Sequence, residues 1–431
     1  MKSPIMFLLM PFLVHAQQGQ PLLTRTEAIR LGEEGNFALR GAFAQQEAAE
    51  ATRAAGLGLL LPGLGLTSTL SRVGPNIPGD PRGNAASSIQ PDMQWTNAFT
   101  ASWGLLNLGA LNTWRSQSAL ADAVRIHAGG QRTQLLATID LSYHDVVRQE
   151  VLLAAQRQEV DLSIARRDIA KAHRAIGVSS ALETMQAQLS LDGDSANLLT
   201  QESALDQSRR TLNGLLGRDA STSFRVEDSI SVSDPGPLAE LRTRAREKES
   251  GLAEAKARAD ASFAQSSAAG ATAIAPVVSA YATYNFLNRW HDDPPPPSLS
   301  NQGFVYGLQA TWTLFSGGSQ TAQWRAAKAQ ARAAQFAQAD SSLQLERAIG
   351  QAWDVWTRSR AALALGDRDL GLADSTLNLS IAQYKTGTIS GIDLRQAQET
   401  ALLAKSRYIS SRWSARAATV QLRLLANLPP P

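Results

Sequence analysis

Apolar and polar residues along this chain fall into a succession of patterns that runs through twice. From Thr24 to Ala55 the chain is rich in Ala, Glu, Gln and Arg and holds no proline. That predicts one helix, opening on Thr24 or Thr26 as N-cap before Glu27, and Gly56-Leu57-Gly58 with Pro62 predict its end. Alternation with a period of two follows. Leu64, Leu66 and Leu70 share one face of a strand, and Thr67 and Thr69 the other. Trp95, Phe99, Ala101, Trp103 and Leu105 alternate with Thr96, Ala98, Thr100, Ser102 and Gly104. In the second half Phe304, Tyr306, Leu308, Ala310, Trp312 and Leu314 alternate with Gly307, Gln309, Thr311 and Thr313. Polar loops rich in Pro, Gly or Asp, Gly74 to Pro81 and Asp292 to Pro297, separate the strands of each pair.

After the second strand of each half comes a break, Asn107-Leu108-Gly109 or Ser316-Gly317-Gly318. A proline-free helical run follows, Ala110 to Ala175 or Ser319 to Lys385. At 1.5 Å per residue each run would extend about 100 Å, which points to coiled-coil packing. The shorter return helices carry heptads, Leu191, Leu198, Leu205, Leu212 and Ala401, Tyr408, Ala415, Leu422, read as structural core.

The doubling extends to individual residues. Gly177, Glu183 and Gln186-Ala187-Gln188 recur 210 positions later as Gly387, Asp393 and Gln396-Ala397-Gln398. Trp103 to Leu106 pairs with Trp312 to Phe315, and Leu212 to Leu215 with Leu422 to Leu425, within one residue of that offset. Chance does not supply such matches in a common order. The reading divides the chain into residues 1–16, a leader, then repeats over 17–225 and 226–431.

Composition narrows the setting. Lys2, the apolar run Ile5 to Val14 and the small Ala16 before Gln17 predict a secretory signal peptide cleaved after Ala16. No later stretch approaches the roughly 18 apolar residues of a spanning helix. The chain has no cysteine and a net charge of +3, so it lacks a thiol metal site and the basic clusters of a nucleic-acid binder. An exported chain with strands of about ten residues, alternating in period two and ending in Trp and Tyr, suits a β-barrel wall and its interfacial aromatics. Four strands cannot close a barrel, and an open edge cannot sit in hydrocarbon. The chain must share strands with copies of itself, and three copies are the fewest that leave a lumen; strand counting also allows four.

The doubled order, Trp312-Thr313-Leu314-Phe315-Ser316-Gly317-Gly318 and the stretch from Tyr384 through Gly387 to Asp393 together resemble the TolC family of outer-membrane efflux proteins, over essentially all of the mature chain. The resemblance implies a mainly α fold with membrane β: a tandem-duplicated protomer giving four strands to a shared 12-stranded β-barrel and long coiled-coil helices to a 12-helix periplasmic α-barrel. It implies a homotrimer in outer-membrane lipid, docked to a periplasmic membrane-fusion adaptor and an inner-membrane pump of RND, ABC or MFS type, without a cofactor. The hairpin tips fall at Gly177, Val178, Ser179 and at Gly387, Thr388, Ile389, where the family meets its adaptor. Glu183 and Asp393 would ring the entrance with carboxylates, favouring cations and raising some of their pKa values by like-charge repulsion. Tyr384 matches a position that helps tie the entrance shut. Ile389 stands where some members carry a basic residue, and Gln396 where many carry a second acid, with Arg395 beside it.

Other chemistry fails on spacing. Gly56-Leu57-Gly58 has the wrong order for a dinucleotide loop. Asp192-Gly193-Asp194 lacks the rest of a calcium loop and reads as a helix face. No nucleophile, base and oxyanion site assembles. A periplasmic coiled-coil adaptor and a stand-alone porin remain as alternatives. The first would show one hairpin rather than two, the second more than four strands.

Overall fold

A computed structural model describes residues 21–73, 92–177, 180–227, 229–290 and 299–431. The leader expected at 1–16, both Pro- and Gly-rich loops, Val178 and Ser179 lie outside them. The element order is α1 (Arg25–Gly35), α2 (Phe37–Gly58), β1 (Gly63–Val73), β2 (Asp92–Leu106), α3 (Leu108–Ala175), α4 (Ala181–Leu215), then α5 (Leu238–Lys248), α6 (Ser250–Ile274), β3 (Val277–Trp290), β4 (Leu299–Thr311), α7 (Ser319–Lys385) and α8 (Gly391–Leu425). The second half repeats the first, element for element.

The single opening helix expected from Thr24 to Ala55 is two helices. Thr24 caps α1 as expected, its hydroxyl accepting from Glu27 N. The chain breaks at Asn36, whose carboxamide oxygen accepts from Leu39 N while its Nδ2 donates to Leu215 O at 3.0 Å. One side chain thus starts α2 and anchors the joint to the end of α4. The matching joint is Glu249, whose carboxylate accepts from Gly251 N and Leu252 N at the start of α6. α2 ends at Gly58, within the expected Gly56-Leu57-Gly58 break, and Pro62 lies beyond its end.

The chain forms two compact units, and each draws on both halves. The first takes the chain up to Arg40, Gln131–Glu247 and Glu346–Pro431. Its main core gathers Leu23, Ile139, Tyr143, Val146, Leu205, Leu212, Phe224, Ile230 and Ile409. Of the heptad residues, Leu191, Leu205 and Leu212 of α4 and Ala401, Ala415 and Leu422 of α8 are buried as expected, while Leu198 and Tyr408 are half-buried. Tyr143 is fastened at both sides of its hydroxyl, donating to Leu23 O and accepting from Glu227 N, each at 3.1 Å. Asp140, next in sequence to the core residue Ile139, holds an ionic knot. Arg416, 1% exposed, donates from Nε and Nη2 to Asp140, which is fully buried, and Arg25 Nε reaches the same carboxylate at 2.5 Å.

The second unit, Gly41–Gly130 with Lys248–Leu345, carries an antiparallel sheet in the order β1-β2-β3-β4. β2 is longer than the ten residues expected, and β4 stops at Thr311, so Trp312 and Leu314 lie past its end. The Ser316-Gly317-Gly318 break follows at once, with both glycines at positive φ, and the chain must leave the ladder before it. Register aligns Leu66, Phe99, Tyr284 and Phe304 in one row across all four strands, and Leu64, Ala101, Ala282 and Tyr306 in another. The opposite face carries Gly65, Thr100, Thr283 and Val305 in one row. The apolar face is open: Leu64, Phe99, Phe304, Tyr306 and Leu308 are all exposed, Tyr306 by 75%.

Candidate functional site

The two hairpin tips are built alike. Each long helix ends on a glycine in the left-handed region, Gly177 at φ 78° and Gly387 at φ 74°, a conformation that a Cβ disfavours. At the second tip Thr388 N donates to Gln383 O and Gly387 N to Tyr384 O, which closes the end of α7. Each return helix then opens on a serine cap three residues before an acid. Ser180 Oγ accepts from Glu183 N, and Ser390 Oγ from Asp393 N. The repeated acid is therefore first of all a helix-start residue.

The two acids differ in what they touch. Asp393 folds back on its own cap, its Oδ2 accepting from Ser390 N at 3.1 Å and Oγ at 2.7 Å. The Ser390 hydroxyl, then its amide, hold Asp393 below the usual carboxylate range. Within the protomer this runs opposite to the rise expected from like-charge repulsion. Glu183 turns to the other hairpin instead. Its Oε1 accepts from the Tyr384 hydroxyl at 3.3 Å and lies where a Cβ on Gly391 would come within 3.2 Å. Tyr384 is 2% exposed, and burial, then the charge and hydrogen bond of Glu183, push its phenol up to about 12. The structure thus brings Glu183 and Tyr384 together and leaves Asp393 apart.

A groove of about 550 Å³ opens between the tips. Glu183, Tyr384, Gly387 and Ile389 line it, with Leu182 and Ile392 on its apolar side and Arg166 and Arg395 on its polar side. Thr388 is exposed and shares a 2.9 Å hydroxyl contact with Thr386.

Behind the groove lies a buried polar cluster that the sequence reading missed. Asp194, expected on an ordinary helix face, is 2% exposed. Its carboxylate accepts from Ser163 Oγ at 2.5 Å and from Arg395 Nη1 and Nη2 at 2.6 and 2.9 Å. Arg395 Nη1 also reaches Glu159 at 3.1 Å, and Arg395 Nε reaches Glu399. Burial, then Asp194, push the Glu159 carboxyl up to about 7. Arg166 donates to Gln398 Oε1 at 3.3 Å. Its guanidinium is lowered by burial and by Arg395. The sequence did carry a signal: Asp194 follows Leu191 by three, on the buried seam of its own heptad.

The family model for outer membrane efflux proteins matches residues 29–218 and 241–428, one stretch in each half. The chain belongs to that family. Solved structures with the same fold include the outer membrane channel CmeC of Campylobacter jejuni, 14% identical with a TM-score of 0.80 over 93% of this chain and 85% of that one. The outer membrane protein VceC of Vibrio cholerae is 15% identical, TM-score 0.80, over 94% and 96%. The open state of the MtrE channel of Neisseria gonorrhoeae is 15% identical, TM-score 0.74, over 94% and 89%. No curated protein matches the chain in sequence. As an outer membrane efflux protein it is a channel component of the outer membrane with a large periplasmic helical part, the setting that the resemblance to TolC implied.

Proposed function

We propose that this efflux protein works as a homotrimeric, passive duct that performs no reaction of its own. The chain divides into a leader to residue 16, removed on export, and repeats over 17–225 and 226–431. Three copies close a 12-stranded barrel in outer-membrane lipid and a 12-helix periplasmic tunnel. The observation that carries this is the sheet. Its apolar face is exposed over rows of Leu, Phe and Tyr, while its strands β1 and β4 form two edges. In lipid such edges need partners, and copies of the same sheet supply them. Trp95 and Trp103 stand eight residues apart on β2, about 26 Å along a strand, close to the height of an outer-membrane apolar band.

In this reading the tips Gly177, Val178, Ser179 and Gly387, Thr388, Ile389 surround the periplasmic entrance and take a membrane-fusion adaptor, which links the duct to an inner-membrane pump of RND, ABC or MFS type. Glu183 and Asp393 supply six carboxylates near that entrance and favour cations, and the Tyr384–Glu183 bond holds the two hairpins of a protomer close. The test is direct. Full-length protein should sediment with outer membranes, run as an SDS-resistant oligomer and have the mass of three protomers in detergent. In planar bilayers Glu183→Ala with Asp393→Ala should reduce cation preference. A monomer that stays dissolved without detergent would overturn the duct, and unchanged selectivity would overturn the carboxylate ring alone.

A further inference from the structure

We propose that the groove between the hairpin tips is a binding site for a small amphipathic carboxylate, whose anionic head pairs with Arg166 and whose apolar body lies along Leu182, Leu189 and Ile392. All of these residues belong to the first compact unit of one protomer, so the site does not depend on the duct. Arg166 is 4% exposed, yet its buried Nε donates to no acceptor among the described residues. Its side-chain hydrogen bond goes to a neutral group, Gln398 Oε1, at 3.3 Å. The neighbouring carboxylates are claimed instead by Arg395, which holds Asp194 and Glu159 at 2.6 and 3.1 Å, with Glu399 as a further partner. A buried guanidinium with no contacting carboxylate is destabilising, and an anion that reaches its free N–H relieves that cost.

The rest of the groove continues that preference. The first turns of two long helices open onto it: Gly391 and Ile392 begin α8, and Leu182 is the second residue of α4. The leading amides of a helix have no acceptor within it, and the positive end of its dipole favours negative charge. His173, its ring 6.1 Å from that of Tyr384, adds a further donor to the lining. Glu183 also lines the groove and works against an anion, but its Oε1 is turned to the Tyr384 hydroxyl at 3.3 Å. On the apolar side Leu182, Leu189 and Ile392 are 63, 73 and 68% exposed, a wall that a small hydrated ion leaves in water. Covering it calls for a hydrocarbon chain or ring system, and a volume of about 550 Å³ suits a ligand of drug size. An ammonium head in the same place would face Arg166 and both helix starts.

The experiment titrates full-length protein in lipid nanodiscs, with empty nanodiscs as the blank, against octanoate, octanol and octylammonium, which share a tail and differ in the head. Octanoate should bind once per chain and about tenfold tighter than octanol, the gain of a charge-assisted hydrogen bond to Arg166, with octylammonium the weakest. Arg166→Gln should bring octanoate down to the level of octanol while leaving octanol as it was. An unchanged octanol affinity separates a lost pairing from a distorted groove. Leu182→Trp, at an exposed position, should fill the groove and abolish binding of every probe. Octanol or octylammonium binding as tightly as octanoate overturns the proposal, and so does octanoate binding that neither variant changes. If Arg166→Gln does not fold, the ranking of the probes on the parent and its loss in Leu182→Trp decide. The mass of the same sample reports on the duct separately: a chain that is a dissolved monomer is titrated without lipid, and octanoate bound to it would overturn the duct and leave the site standing.

Discussion

At the residue scale, the buried charges of the first unit share partners in two ways: Asp140 serves two guanidiniums, whereas Arg395 serves both Asp194 and Glu159. Asp140 accepts from Arg416 and Arg25 together, and the backbone carbonyl of the same residue takes His144 Nδ1 at 2.7 Å. Burial and the neighbouring Arg416 lower the His144 pKa, so the ring is neutral in the fold and charges more readily once exposed. Its contribution to stability is present above its ordinary value and declines as pH falls below it. Asp140→Ala strands a guanidinium that is 1% exposed, and should destabilise the protein by about 3–5 kcal/mol. Thermal unfolding in detergent measures this, and a loss under about 1 kcal/mol would show that the knot is dispensable. Tyr384→Phe removes one hydrogen bond while keeping the packing of the ring. It should cost about 1 kcal/mol, with a small rise in resting conductance as the measurable consequence. None of these partnerships could be read from the sequence, because residues 140 and 416, or 194 and 395, meet only after the two halves have folded against each other.

At the element scale, much was legible because it is local. Period-two alternation located β1, β2 and β4, the lack of proline located α3 and α7, and the bounds of α7 came out as expected at Ser319 and Lys385. The joint at Asn36 was not legible, because a helix-period pattern continues through it and only the reach of Asn36 to Leu215 O explains the break. The acids at 183 and 393 show the reverse case. Their repetition was visible and suggested function, while the serines three residues ahead of them, which make them helix-start residues, passed unread. Ser390→Ala removes the acceptor for Asp393 N and one of the two donors to its carboxylate, leaving the backbone amide. It should cost about 1 kcal/mol. Because the folded Asp393 pKa is depressed, the part of the cap that its carboxylate supplies is present above the ordinary value of 3.8 and is lost as pH falls through the folded one. Melting curves at pH 7 and pH 3 test this: the gap between parent and Ser390→Ala should narrow at the lower pH. Gly387→Ala places a Cβ at φ 74°, and should destabilise the tip by about 1 kcal/mol.

At the scale of the whole molecule, the same sheet must satisfy lipid on one side and a solute path on the other, and its register shows how. Phe304 lies in the row of Leu66, Phe99 and Tyr284, midway between Trp95 and Trp103 in height, whereas its neighbour Val305 lies with Gly65, Thr100 and Thr283. If the apolar rows face hydrocarbon, the two positions should respond very differently to a charge. Phe304→Arg should cost about 2–4 kcal/mol, the penalty for a cation near the bilayer midplane on the lipid face. Val305→Arg should be tolerated, since a lumen wide enough for solutes also holds a hydrated guanidinium. The amount of SDS-resistant oligomer recovered from outer membranes reads both at once: it should fall sharply for the first variant and stay close to the parent for the second. Equal losses would mean that both faces are packed against protein. The row assignment would then describe a sandwich, which shows the same period-two alternation along its strands.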